Sequence, residues 1–323
     1  MLRRGPFFFV ALLAFLAHLA ATKQCRDPTV GIDIDRRAPP LLAVSLARRA
    51  SFVRQSSKKS LTSSTDLDIT KSWGRNNKHT YETAVRVPSK PDGDVTILLH
   101  GNGGNGQGMV RQFQSLLPDD ILVAPTGYQN AWNIIEEHDA PDISFLSELV
   151  DKLGTYANVD SVRILGVSNG GALTLRAAVE LDQKVIKSLV SIVSSLNTNA
   201  YHDGSFWGGN DYEQREKPAK KRDILLVQNT NDPLIPYEGG RGKIPGTVFL
   251  PALESAFVLA ESQGFRGEAL GFDDGKQDAQ YPNVYTYTYS TNNKGGRVEH
   301  VRSDARHGMN EGIKRRVAGF LGY

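Results

Sequence analysis

The 323-residue chain is predicted to fold in the α/β class, as a mainly parallel sheet with helices on both faces. Three observations predict it. Short apolar runs, such as Val-Thr-Ile-Leu-Leu at 95–99 and Ile-Leu-Leu-Val at 224–227, have strand length. They lack the one-sided alternation of a half-solvated sheet, so both of their faces are expected to be covered. Segments with helical spacing separate them. The composition, 40% hydrophobic and 23% charged, is that of an ordinary folded domain with one large core.

In chain order, residues 81–87 alternate as a strand. Residues 95–99 run apolar and end in His100-Gly101, and 121–124 run apolar until Pro125 stops them. Ile143, Leu146, Leu149, Val150 and Leu153 mark a helix over 143–156. Residues 162–165 form a strand, followed by a helix over 170–181 with Leu173, Ala177 and Leu181 four apart. Strands at 189–193 and 224–227 and a helix at 252–262 come next. Residues 284–289 alternate with tyrosines, and a helix at 312–321 closes the chain. The insertion at 197–223 carries Tyr201, Phe206, Trp207 and Tyr212. It reads either as a loop over the substrate or as a surface excursion.

Sheets of this kind bind ligands beyond the carboxyl ends of their strands. The polar residues just past each strand are therefore the candidates. Ser168 lies in Gly166-Val167-Ser168-Asn169-Gly170, between the strand at 162–165 and the helix that follows. Gly-x-Ser-x-Gly by itself is a weak pattern. In a strand–turn–helix setting it is the sharp turn that exposes a serine hydroxyl above a sheet. A helix N-cap serine would not need both glycines.

A serine hydroxyl is a poor nucleophile near neutral pH. It needs a base, and the base needs an orienting carboxylate. On this architecture they follow in the order Ser, acid, His. His202 comes too early, and His300 sits in the alternating run Val298-Glu299-His300-Val301, so His307 in the loop before the last helix is the expected base, with His300 as fallback. Asp232 follows the strand at 224–227, and Pro233 ends any continuation there. Asp273, Asp274 and Asp278 stand among Gly and Lys and read as surface charges. The backbone N–H of Asn169 and a donor from the Gly-rich loop His100-Gly101-Asn102-Gly103-Gly104-Asn105-Gly106 are expected to face an oxyanion. No nucleotide motif accompanies that loop, so a phosphate cradle is not expected.

With these residues placed, residues 80–323 resemble the poly(3-hydroxybutyrate) depolymerase-like and feruloyl esterase-like group of α/β-hydrolases. The matching blocks are residues 98–105, then Ala124-Pro125-Thr126-Gly127 leading to Ala131-Trp132-Asn133, then Gly166-Val167-Ser168-Asn169-Gly170-Gly171, and Asp232-Pro233-Leu234-Ile235-Pro236-Tyr237-Glu238-Gly239-Gly240. The resemblance implies the α/β-hydrolase fold and a serine carboxylic-ester hydrolase. It implies Ser168, Asp232 and His307 as a triad and Asn102 and Asn169 as oxyanion donors, with Gly103 and Trp132 on the substrate side. The chain departs from the group at Arg306-His307-Gly308-Met309-Asn310, and activity on solid polymer is not expected, since no separate polymer-binding domain is read in these residues.

Two other classes share some of these features. A serine peptidase of the prolyl oligopeptidase type carries Gly-x-Ser-x-Gly-Gly but usually a large extra domain, for which this chain has no room. A non-catalytic binding module on the same scaffold would be expected to have lost one of the three polar residues. The expected partner is a small-molecule or oligomeric ester, and no cofactor or metal ion is expected.

The net charge of +3 is unevenly spread: residues 1–65 hold 11 Lys and Arg against 3 Asp, and the remainder 27 against 32 acidic residues. No basic stripe interleaves with aromatics, so nucleic acid is not an expected partner. Arg3 and Arg4 precede an apolar run from Pro6 to Ala21, with Ala20, Ala21 and Thr22 as a cleavage region. The run is shorter than the ~20 residues of a bilayer span, so 1–22 reads as a cleaved signal peptide and no stable membrane span is expected after cleavage. Residues 23–65 read as a disordered linker, pro-segment or transit-like extension, and 66–323 as the catalytic domain. Residues 36–65 lack acidic side chains and end Ser- and Thr-rich. Secretion, or delivery to an endomembrane lumen, is the expected destination; a bipartite plastid leader is the alternative. The single cysteine, Cys25, allows no disulfide within the chain, and Thr22-Lys23-Gln24 before it does not fit a lipidation box.

Overall fold

The computed structural model describes residues 58–134, 139–244, 246–290 and 296–323. The expected signal peptide, Cys25 and the extension up to residue 57 lie outside them. Among the described residues no helix is long and apolar enough to cross a membrane.

A nine-stranded sheet organises the fold. Its strands are β3 (Thr83–Arg86), β4 (Asp94–Leu99), β5 (Ile121–Pro125), β6 (Ser161–Val167), β7 (Ile186–Ile192), β11 (Asp223–Asn229), β14 (Lys276–Gln277), β15 (Val284–Tyr289) and β16 (Val298–Ser303). They lie in the order β14-β15-β16-β11-β7-β6-β4-β5-β3. The six strands from β16 to β5 are mutually parallel, and β3 and β15 run antiparallel at the two sides.

Apolar side chains alternate between two cores. Leu99, Ile164 and Leu226 face one side, with Phe145 of α2 (Asp142–Leu153), Leu173 of α3 (Asn169–Glu180) and Leu259 of α4 (Ala252–Gln263). Leu98, Leu165 and Val227 face the other, with Phe113 of α1 (Gly106–Phe113) and Val317 of α5 (Glu311–Leu321). Helices thus cover both faces, as the doubly apolar strands required. From β4 the chain moves outward to β5, then returns to β6 on the opposite side of β4. This reversal opens a crevice between the carboxyl ends of β4 and β6, where α/β sheets bind ligands. The Gly-rich loop and Ser168 lie at those two ends.

Three expectations are corrected. The run at 81–87 is not one strand. β2 (Asn77–Tyr81) pairs back on β1 (Ile69–Trp73), whereas β3 joins β5. Tyr81 anchors the break: it is fully buried, stacks on Phe145 at 3.8 Å and donates from its hydroxyl to Asp142. Alternation reports side-chain facing and cannot report a change of partner strand. Second, α1 was unforeseen. Its glycines read as loop, but Asn105 caps it by accepting from the Gly108 N–H at 2.8 Å, and Gly106 packs where a Cβ would lie 1.9 Å from the Ala124 carbonyl oxygen. Third, the folded unit begins before residue 66. Leu61 is buried in the core, and its N–H and carbonyl both bond to the Asn158 side chain.

A candidate active site at the carboxyl ends of the strands

The nucleophile turn follows from backbone sterics. Ser168 has φ 56° and ψ −117°, a conformation L residues rarely adopt. The strain persists because the turn is held on several sides. The Ser168 N–H donates to the Ile192 carbonyl at 2.8 Å. A Cβ on Gly166 would sit 2.0 Å from the Gly170 oxygen, and one on Gly170 would sit 2.2 Å from the Leu99 oxygen. Both glycines let β4, β6 and α3 meet at backbone distance. Gly170→Ala is therefore expected to cost about 2 kcal/mol or more through overpacking, lowering Tm by roughly 4–8 °C. A thermal melt matching the wild type would show that the contact relaxes freely.

His307 and Asp232 meet the serine in one hydrogen-bonded line. His307 Nε2 lies 2.8 Å from Ser168 Oγ, and His307 Nδ1 lies 2.7 Å from Asp232 Oδ2. The Asp232 carboxylate is buried, and its Oδ1 accepts the N–H groups of Leu234 at 2.8 Å and Ile235 at 3.1 Å. Burial pushes this carboxyl up, but the hydrogen bonds from His307, Leu234 and Ile235 and the attraction of the imidazole outweigh it. The net result lies below the usual carboxylate value. An ionised Asp232 only accepts, so Nδ1 carries the proton and Nε2 is left to accept from the serine hydroxyl.

The two other histidines after Ser168 are elsewhere. His202 lies on β8 (Tyr201–His202), stacked on Trp207. His300, the fallback base, is fully buried on β16 with Nε2 3.0 Å from the Tyr237 hydroxyl. Burial pushes its pKa down to about 3. A buried neutral imidazole stabilises the fold fully above its unfolded pKa of about 6.5, and that stability is lost as pH falls toward the folded value. Between pH 7 and pH 5, His300 alone is expected to remove about 2 kcal/mol of unfolding free energy. Urea titrations of wild type and His300→Gln at the two pH values check this; an equal loss in both would exclude His300 as the cause.

The Gly-rich loop and the start of α3 border Ser168. A Cβ on Gly101 would lie 3.5 Å from the Ser168 Cβ, so the loop runs directly beside the serine. The N–H groups of Asn102 and Asn169 have no hydrogen-bond partner among the described residues. The Asn169 side chain is occupied: it accepts from the Trp132 N–H at 2.7 Å and donates to the Trp132 carbonyl at 3.1 Å. Its backbone donor alone is left without a partner among the described residues.

Two residues expected on the substrate side have partners within the fold. The Gly103 N–H is taken by the Asn130 carbonyl at 2.8 Å, and Asn130 Nδ2 donates back to the Gly104 carbonyl at 2.8 Å. Gly103, with φ +76°, shapes the loop and has no spare donor for a ligand. Trp132 is buried, and its indole N–H donates to the His100 carbonyl at 2.8 Å. It supports the loop from beneath. Sequence reasoning missed His100, although its place between β4 and the glycines marked it. Its Nε2 accepts the Gly127 N–H at 3.0 Å, so its Nδ1 donates to the Gly101 carbonyl at 2.8 Å. Burial lowers its pKa, which keeps the imidazole neutral in that role.

The 197–223 insertion folds as β8, β9 (Ser205–Gly208) and β10 (Gln214–Glu216). The N–H of Gly209, next to β9, donates to the carboxylate of Glu180, the last residue of α3. Twelve residues of helix separate that point from Ser168, about 18 Å. Through this bond the insertion braces the far end of α3. Among the described residues no group of three or more His, Cys, Asp or Glu could hold a metal ion.

Sheet order, helix layers and the placing of Ser168, His307 and Asp232 at strand ends define an α/β-hydrolase fold. Among solved structures the chain is similar to a carboxylesterase from Bacillus cereus, at 12% identity and TM-score 0.50 over 74% of this chain and 92% of that one. An esterase named PE8 aligns at 12% identity and TM-score 0.45, covering 75% and 97%. The acyl-protein thioesterase 2 of Zea mays aligns at 14% and 0.43, covering 75% and 97%. No protein-family model and no curated protein sequence matches the chain.

Proposed function

We propose that the protein is a serine hydrolase of carboxylic esters, working through an acyl-enzyme on Ser168. The observation that carries this reading is the line from Ser168 Oγ through His307 to Asp232, at 2.8 and 2.7 Å, on a serine held at positive φ. In the proposed cycle His307 Nε2 takes the hydroxyl proton as Oγ attacks the ester carbonyl. Asp232 holds the tautomer and stabilises the imidazolium. The N–H groups of Asn102 and Asn169 receive the oxyanion, each worth about 3 kcal/mol where such a donor has been removed from other enzymes. His307 then protonates the leaving alcohol and later activates the water that releases the acid. No step calls for a cofactor.

The finer reading is a hydrolase of the poly(3-hydroxybutyrate) depolymerase-like or feruloyl esterase-like kind, on a small or oligomeric ester. Its support is the set of sequence blocks around Asn102, Ser168 and Asp232. A fluorophosphonate probe should label Ser168, and a panel of nitrophenyl, hydroxybutyrate-oligomer and feruloyl esters should show hydrolysis. Labelling that persists in Ser168→Ala would overturn the nucleophile assignment. Cleavage of peptides with no ester activity would overturn the ester assignment.

A further inference from the structure

The residue that sets the position of His307 is, we infer, Asn229, the last residue of β11. The inference rests on the proposed role of His307 as base. Asn229 is fully buried. Its Nδ2 donates to the carbonyl of Arg306 at 2.6 Å and to the carbonyl of Gly308 at 2.8 Å. These are the carbonyls on either side of His307, so one amide group spans the residue whose ring reaches Ser168. Both neighbours are acceptors, which fixes the orientation of the amide without appeal to its flip state.

Asn229 leads a short seam between the acid turn and the histidine loop. The Thr230 N–H donates to the Ser303 carbonyl at 2.8 Å, and Asn231 Nδ2 donates to the Asp304 carbonyl at 2.7 Å. Asp232 then reaches the His307 ring itself. Four consecutive residues of one strand end therefore hold the loop, and Asn229 is the member that grips the carbonyls of both chain neighbours of His307. The loop needs such a grip. Gly308 has φ +156°, and α5 begins only at Glu311, behind the Asn310 cap, so the backbone around His307 belongs to neither strand nor helix. The two side-chain bonds to His307 orient the ring, whereas the Asn229 bonds place its Cα. Asn229 touches neither Ser168 nor a substrate position; it is a positioning residue.

A shift of about 1 Å in a reacting group can cost on the order of 100-fold in rate. Asn229→Ala is thus expected to lower kcat on nitrophenyl acetate by about 10- to 100-fold with KM within about twofold. The decisive readout is the double variant. A residue acting only through His307 has nothing left to position in His307→Ala, so adding Asn229→Ala there should change the residual rate by less than about twofold. Should Asn229→Ala fail to fold, the near-isosteric Asn229→Leu, which has no donor for either carbonyl, carries the same cycle. The inference is overturned if the folded single variant keeps kcat within twofold of wild type, or if the two losses multiply in the double variant. In those cases an inactive His307→Ala leaves the proposed base standing. A fully active His307→Ala removes the base, and the inference with it.

Discussion

Ser168→Ala is expected to lower kcat on a nitrophenyl ester by about 10⁶-fold, the scale seen when a triad serine is removed and only binding and oxyanion donors remain. The fold should not suffer. Ser168 Oγ bonds only to His307 among the described residues, and the turn is held by backbone bonds and glycine contacts. A second substitution separates function from strain. The φ of 56° at Ser168 costs a non-glycine residue roughly 1–3 kcal/mol, and glycine carries about 0.5–1 kcal/mol more chain entropy to lose on folding. Ser168→Gly should therefore be as inactive as Ser168→Ala yet more stable than wild type by about 1 kcal/mol, a rise of roughly 2–4 °C in Tm. An unchanged or lower Tm would mean that the turn stores no strain. A Ser168→Ala enzyme within tenfold of wild type would remove the nucleophile from its place.

Asp232→Asn is expected to cost about 10⁴-fold in kcat with little change in KM. The reason lies in the other bonds of this side chain. The N–H groups of Leu234 and Ile235 both need an acceptor at Oδ1. An amide in this position keeps its oxygen there and turns its NH₂ toward His307 Nδ1. The imidazole must then accept at Nδ1 and carry its proton on Nε2, where it cannot take one from Ser168. The same substitution alters acid stability. The folded pKa of Asp232 is lowered, so its contribution is complete above the ordinary carboxylate value of about 3.9 and is lost as pH falls through the lower folded value. The variant should lack that part of the acid transition. Acid-unfolding curves of the two proteins, with kcat at pH 7, check both statements; kcat within tenfold of wild type would break the tautomer argument.

How much of the site was legible follows from the range of the forces involved. A turn that brings two strands and a helix to backbone distance leaves glycines at fixed offsets, so Ser168 was readable from the strand, the glycines and the helix around it. Asp232 and His307 were readable because they follow apolar strands in the order this architecture imposes. Choosing His307 over His300 rested on the alternation around residue 300, and the fully buried ring on β16 agrees with it. The partners of Trp132 and of the Gly103 amide were not legible. The roles of these two residues depend on what lies opposite them: the His100 carbonyl over the indole, and Asn130 against the Gly103 amide. No pattern in the residues themselves states which side of a loop faces the ligand.

The sequence by itself determined the parallel sheet, the helices that follow its strands, and the three polar residues at their ends. All of these are set by local sterics and by burial periodicity. Only the tertiary structure decided that Tyr81 ends one strand so that Thr83 can begin another, that Asn105 opens a helix among glycines, and that the 197–223 insertion braces the far end of α3. It alone brought Asn229 to Arg306 and Gly308, 77 and 79 residues further along the chain. Such contacts form when separate elements pack, and a side-chain amide carries no mark of which distant carbonyls it will meet.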